Sequence, residues 1–203
     1  MTTFAMVFPG QGSQSVGMLG AWGDHPAVRA TLAEASSALG EDVAKLIAEG
    51  PKEALDLTVN TQPVMLVAGI AAYRAWRADG GAQPAVMAGH SLGEYTALVA
   101  AQALTLEDAL PLVRFRAQAM QAAVPAGVGA MAAILGLDAQ AVRDVCRQAA
   151  LDSGEVVEAV NFNDPKQTVI AGSKAGVERA IEALKAAGAK RARQNLRPRV
   201  CPA

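Results

Sequence analysis

The pentapeptide Gly89-His90-Ser91-Leu92-Gly93 constrains this chain more than any other feature. It has the form G-x-S-x-G, follows the apolar run Ala85-Val86-Met87-Ala88 and opens a helical stretch over residues 94–102. A serine on so short a strand-to-helix turn is lifted clear of the sheet, and the flanking glycines are needed where backbone passes close to backbone. The next amide N–H, on Leu92, then faces the place where an oxyanion develops. The pattern predicts an α/β chain with Ser91 as nucleophile. A serine hydroxyl attacks poorly until a base takes its proton. Of the two histidines, His90 adjoins Ser91 on a sharp elbow where neighbouring side chains diverge, so it reads as a packing or hydrogen-bonding residue. His25, before Pro26 in a polar loop, reads as a surface residue. The sequence offers a nucleophile without a general base.

Upstream, residues 4–8 form an apolar run ending at Pro9-Gly10, which predicts a buried strand, and a second buried strand is predicted at residues 85–88. The glycine-rich Gly10-Gln11-Gly12-Ser13-Gln14 between strand and helix predicts a loop. Residues 26–50 have helical spacing with a break at Gly40, and residues 61–77 are apolar all round, predicting a mostly buried helix. A further helix is predicted over residues 105–123, with Thr105 as N-cap and Asp108 in the first turn. Ligands of open α/β sheets sit at the carboxyl ends of the strands, where Gln11 and Ser91 both fall. A backbone N–H or the amide of Gln11 could therefore line an oxyanion site. A phosphate loop would need a Lys-Ser/Thr pair that is absent. Arg114 and Arg116, two residues apart on a helix, point to different faces. One is expected in solvent. The other, turned inward, would grip a carboxylate with two parallel hydrogen bonds or form an internal salt bridge with Glu94, Glu107 or Asp108.

The pattern changes near residues 125–127. Strands are predicted at residues 128–135, 156–161 and 167–171, and helices at 138–151 and 173–187. This β-α-β-β-α order lacks one last strand of a ferredoxin-like split βαβ unit. Residues 190–200, with Lys190-Arg191-Ala192-Arg193-Gln194-Asn195 and an interior Pro198, show no strand alternation, so no strand is expected there.

The 203 residues are 52% hydrophobic and 18% charged, which excludes a disordered chain. No apolar run is long enough for a membrane span. The N-terminus has no basic segment before an apolar stretch, so no secretory signal is expected. Two cysteines, Cys146 and Cys201, supply neither a disulfide framework nor a zinc site, which fits the cytoplasm. Residues 185–203 carry six basic side chains and no acid, leaving 12 basic against 19 acidic elsewhere. No aromatic or recognition motif accompanies those charges, so a nucleic-acid partner is not expected.

Together the motifs resemble the malonyl-CoA:acyl carrier protein transacylase family. The resemblance rests on Phe8-Pro9-Gly10-Gln11-Gly12-Ser13-Gln14, Thr61-Gln62-Pro63, Gly89-His90-Ser91-Leu92-Gly93-Glu94-Tyr95, Arg116 with Met120-Gln121, Gly129-Ala130-Met131 and Asn161-Phe162-Asn163-Asp164-Pro165. It implies an incomplete α/β-hydrolase-like large subdomain over residues 1–124. A ferredoxin-like α+β small subdomain is implied over 125–190, leaving an aberrant basic tail at 191–203. It further implies Ser91 as the residue that carries the malonyl ester, and an oxyanion hole from Gln11 and Leu92. The implied substrate-binding set is Arg116, Met120, His90 and Gln62, with malonyl-CoA and acyl carrier protein as partners and neither metal nor cofactor. Malonyl would pass from coenzyme A to Ser91 and then to a phosphopantetheine thiol.

Past Lys190 the sequence departs from the family, whose members continue to a catalytic histidine. Reverse translation of residues 192–203 with a one-nucleotide shift permits the family's Pro-Val-Ser-x-Pro stretch, so a truncated or frameshifted member is expected. Loss of a triad member leaves about 10³–10⁴-fold acceleration over water, and little turnover is expected from this chain alone. The alternatives are a serine hydrolase or thioesterase and a non-catalytic carrier-protein-binding fragment.

Overall fold

The computed structural model describes residues 3–124 and 127–195. The chain divides into two compact units, Met1–Gln118 and Ala119–Ala203, so the division falls a few residues before the change expected near 125.

In the first unit, β1 (Ala5–Phe8) and β2 (Val86–Gly89) pair in parallel, Ala5 opposite Val86 and Phe8 opposite Gly89. Between them in sequence lie α1 (Pro26–Leu39), α2 (Val43–Glu49), the single turn α3 (Lys52–Leu55) and α4 (Thr58–Ala78). After β2 come α5 (Leu92–Ala100) and α6 (Leu106–Ala123), the last five residues of which fall in the second unit. α4 is buried along almost all of residues 61–68, as an apolar sequence without a polar stripe requires. Its Leu66 and Ile70 join Phe8, Leu55, Leu92, Leu106 and Leu110 in one core. Thr105 caps α6, its Oγ1 accepting from the Asp108 N–H at 3.0 Å.

The two strands are not buried throughout. Met6, Phe8 and Met87 pack into the core, whereas Val7 is 72% and Val86 59% exposed. Ala5 and Ala88 share that open side with them. An apolar run without polar alternation reads as buried on both faces, but among the described residues only one face of this sheet is covered.

In the second unit, β3 (Gly129–Leu135), α7 (Ala139–Ser153), β4 (Val157–Asp164), β5 (Gln167–Ser173), α8 (Lys174–Ala186) and β6 (Arg191–Asn195) follow in order. The sheet runs β4-β5-β3-β6, every neighbouring pair antiparallel. Ala130, Ala132 and Ile134 on alternate positions of β3 join Val142 and Cys146 of α7, Ile170 of β5 and Ile181 and Leu184 of α8. Asp138 caps α7 by accepting from the Ala141 N–H at 2.8 Å, and Ser173 caps α8 through Gly176 at 3.0 Å.

β6 corrects the expectation that no strand follows Lys190. Arg191 to Asn195 pair with Leu135 to Met131 of β3. Ala192 packs on the second core between exposed Arg191 and Arg193. An available edge on β3 outweighs the poor intrinsic strand preference of this segment. The segment read as an aberrant tail therefore begins as an edge strand. Pro198 and Cys201, on which other expectations rested, lie outside the described residues.

Candidate active site

The carboxyl ends of β1 and β2 lie side by side, and the His90 N–H extends the ladder by donating to the Phe8 carbonyl at 3.2 Å. From there the chain turns directly into α5. The Gly93 and Glu94 N–H groups donate to the carbonyls of His90 and Ser91 at 2.9 and 3.1 Å. A Cβ on Gly89 would strike the Gly93 backbone, and one on Gly93 would strike the Phe8 carbonyl. Both glycines are therefore fixed by space.

Ser91 stands at the apex with φ 54° and ψ −111°. A non-glycine residue held there costs about 1–3 kcal/mol. The residue is exposed at the N-terminus of α5, where the N–H of Leu92, the first helical residue, has no acceptor one turn back in the helix. Ser91 does not use its side chain as a helix cap. Its Oγ instead accepts from Arg116 Nη2 at 2.9 Å.

Arg116 projects from α6 and is held on two sides. Nη1 donates to Oε1 of the buried Gln62 at 2.7 Å, and the guanidinium carbon lies 5.8 Å from the Tyr95 ring centroid. Among the described residues it has no carboxylate partner within 4.0 Å. Of the two arginines, it is Arg116 whose guanidinium faces Ser91. Arg114 makes the salt bridge, with Glu41 at 2.7 Å and not with Glu94, Glu107 or Asp108, and it also reaches Asn60 Oδ1 at 3.3 Å. The partner residues lie 73 and 54 positions away, so local spacing could not identify them.

The loop after β1 leans on α4. Gln11 Nε2 donates to Thr58 Oγ1 at 3.3 Å and Gln14 Nε2 to Asp56 Oδ1 at 2.8 Å. His90 is exposed beside Ser91. His25 is more than a surface residue: its Nδ1 accepts from the Ala27 N–H to cap α1, and its Nε2 lies 3.1 Å from Asp79 Oδ1. Met120, half-buried and four residues beyond Arg116 on α6, belongs to the second unit. Tyr95, Gln14, Asp56 and Thr58 were given no role by the sequence; the first two fall within recognised motifs, but the contacts that matter are long-range.

The family model described as acyl transferase domain matches residues 5–196. The chain belongs to the acyl transferase domain family. This acyl transferase domain is 56% identical over 193 residues to a malonyl CoA-acyl carrier protein transacylase of Escherichia coli strain K12, covering 95% of this chain and 62% of the relative. It is 47% identical over 193 residues to the protein of the same name from Bacillus subtilis strain 168, covering 95% and 60%. Among solved structures, an acyl-carrier-protein S-malonyltransferase from Burkholderia pseudomallei 1710b superposes with a TM-score of 0.92 at 66% identity, covering 97% of this chain and 63% of that one. A type II PKS acyl-carrier protein in complex with its malonyl-transacylase matches with a TM-score of 0.90 at 51% identity, covering 96% and 62%. The acyl transferase domain thus spans about three-fifths of the length of these relatives, and its mixed α/β architecture is theirs.

Electrostatics elsewhere in the acyl transferase domain serve structure. Burial, with the Glu158 charge adding to it, pushes the Cys146 thiol up to about 11, so Cys146 is a core residue and not a nucleophile. Among the described residues no cluster of three metal-binding side chains occurs, and no helix is long and apolar enough to cross a membrane.

Proposed function

We propose that this chain carries the acyl-enzyme chemistry of malonyl transfer from coenzyme A to the phosphopantetheine thiol of an acyl carrier protein, in the cytoplasm and in fatty-acid synthesis. The observation that carries the reading is Arg116, held by Gln62, bonded to the nucleophile and without a carboxylate partner among the described residues. A half-buried guanidinium with unsatisfied charge suits an acyl group that ends in a carboxylate. Malonyl has one methylene between its thioester carbonyl and its carboxylate. Once the carbonyl is on Ser91 Oγ, that carboxylate can fold back onto the edge of Arg116 that Ser91 occupies at rest.

In the first step Ser91 Oγ attacks the thioester carbonyl. The Oγ proton passes to water, and the carbonyl oxygen takes up negative charge facing N–H donors from Leu92 and Gln11. The C–S bond then breaks and the coenzyme A thiolate leaves with a proton. The second step repeats this chemistry with the carrier-protein thiol as nucleophile, releasing Ser91. Gln62 orients Arg116, while His90 and Met120 belong to the substrate-binding set. The first unit is read as α/β-hydrolase-like, supported by its elbow between parallel strand and helix. The second is read as ferredoxin-like, supported by its βαββαβ order.

A serine hydrolase or thioesterase would have no use for Arg116. Replacing it separates the readings: Arg116→Ala should slow acylation of Ser91 by malonyl-CoA about 10²–10³-fold, the cost of losing a charge-assisted contact in a desolvated site. Acylation by acetyl-CoA should not fall. Equal losses for both donors would favour the hydrolase, and carrier-protein binding with no Ser91 adduct would favour a non-catalytic fragment.

A further inference from the structure

The loop from Gly10 to Gln14 carries one of the proposed oxyanion donors, and what holds that loop in place is visible. Gln14 uses both ends of its side-chain amide. Its Oε1 turns back and accepts from the Gly12 N–H at 2.8 Å, while its Nε2 reaches across and donates to Asp56 Oδ1 at 2.8 Å. Asp56 is fixed in turn, its other oxygen accepting from Lys52 Nζ at 2.7 Å. Gln11 adds a second tie through Thr58 Oγ1.

Both ties end on the corner between α3 and α4, which is stiff for its own reasons. Thr61 Oγ1 donates to the Leu55 carbonyl at 2.6 Å, and Asn60 Nδ2 donates to the Ala54 carbonyl at 2.9 Å. One turn beyond Thr58 is Gln62, the residue that holds Arg116. The start of α4 is therefore a common reference for the Gly10–Gln14 loop and for the guanidinium bonded to Ser91.

We infer that Gln14 is a positioning residue: with Asp56 it clamps the Gly10–Gln14 loop so that the loop's N–H groups meet the oxyanion formed at Ser91. The inference rests on the Ser91 reading above. Its logic is directional. Residue 14 must accept from Gly12 and donate to residue 56, which an amide facing a carboxylate does. A carboxylate at 14 still accepts from Gly12 but repels Asp56, and an amide at 56 restores the pair with donor and acceptor exchanged.

The test is the rate at which an aryl phosphonofluoridate modifies Ser91, followed by intact mass. Here an O–P bond forms, fluoride leaves, the Oγ proton goes to solvent, and the phosphoryl oxygen occupies the oxyanion site without needing Arg116. Gln14→Glu should lower the limiting rate by about 10–100-fold, less than or similar to deletion of an oxyanion donor, with the half-saturating concentration unchanged. Gln14→Glu combined with Asp56→Asn should recover most of that loss. Gln14→Met, which adds no charge, should be slow even if Gln14→Glu unfolds. Wild-type rates in Gln14→Glu or in Gln14→Met, or a folded double variant as slow as Gln14→Glu, would overturn the clamp alone. A folded wild type labelled no more than Ser91→Ala would overturn the Ser91 reading, and the clamp with it.

Discussion

In the first unit two parallel strands carry a strained serine, an arginine without a carboxylate among the described residues and an open face bearing Val7 and Val86. In the second, four antiparallel strands are packed by two capped helices, and the sheet's inward residues meet a closed apolar core. Parallel sheets are ordinarily covered on both faces, whereas antiparallel sheets tolerate one open face. The same one-sided packing is thus ordinary in the second unit and unusual in the first. The Ser91–Arg116 pair and uncovered apolar surface occur together in the first unit, and the second holds no strained non-glycine residue among the described residues.

The difference predicts that the units respond separately to damage. Gly89→Ala pushes a Cβ into the Gly93 backbone, and should destabilise the first unit by more than about 4 kcal/mol. Hydrogen exchange should show protection lost across residues 3–118 and kept in β3, β5 and α8. Loss in both units together would break the comparison. The reverse lesion, Ile170→Ala in the fully buried centre of the second sheet, should cost about 2–5 kcal/mol and leave the first unit's amides protected.

Val7→Thr with Val86→Thr, on the open face, should change stability by less than about 0.5 kcal/mol per site. It should still reduce binding of an apolar fluorescent dye, since that face is exposed apolar surface. The smallest effect concerns Asp138. The Ala141 N–H, with Lys166 assisting, holds its carboxyl below the ordinary 3.8 despite some opposing desolvation. A carboxylate with a depressed folded pKa contributes stability that is present above the unfolded value and lost as pH falls through the folded one. Acid titration of helicity in the second unit should show that loss below about pH 4, and Asp138→Asn should remove this component while keeping a cap.

Much of the site was legible because its constraints are local. The elbow is written in five consecutive residues, and Gly89 and Gly93 prove to be where space admits no side chain. The choice between Arg114 and Arg116 came from the motif resemblance and not from helix spacing, since the contacts that distinguish them, to Glu41, Asn60 and Gln62, are each more than fifty residues away. The Gln14–Asp56 tie is hidden for the same reason. β6 was missed because Arg-Ala-Arg-Gln-Asn has one apolar residue and it is alanine; strand formation there comes from β3's open edge. The exposure of Val7 and Val86 was missed because an apolar run does not say how many of its faces find a partner.

If the proposal holds, Ser91 accepts an acyl group whose far carboxylate docks on Arg116. Long exposure of the intact chain to malonyl-CoA, followed by peptide mass mapping, tests it most directly. A malonyl ester is expected on the Ser91 peptide, absent from Ser91→Ala and formed in preference to an acetyl ester from an equal mixture of donors. An adduct elsewhere, or an acetyl ester formed as readily as malonyl, would contradict it.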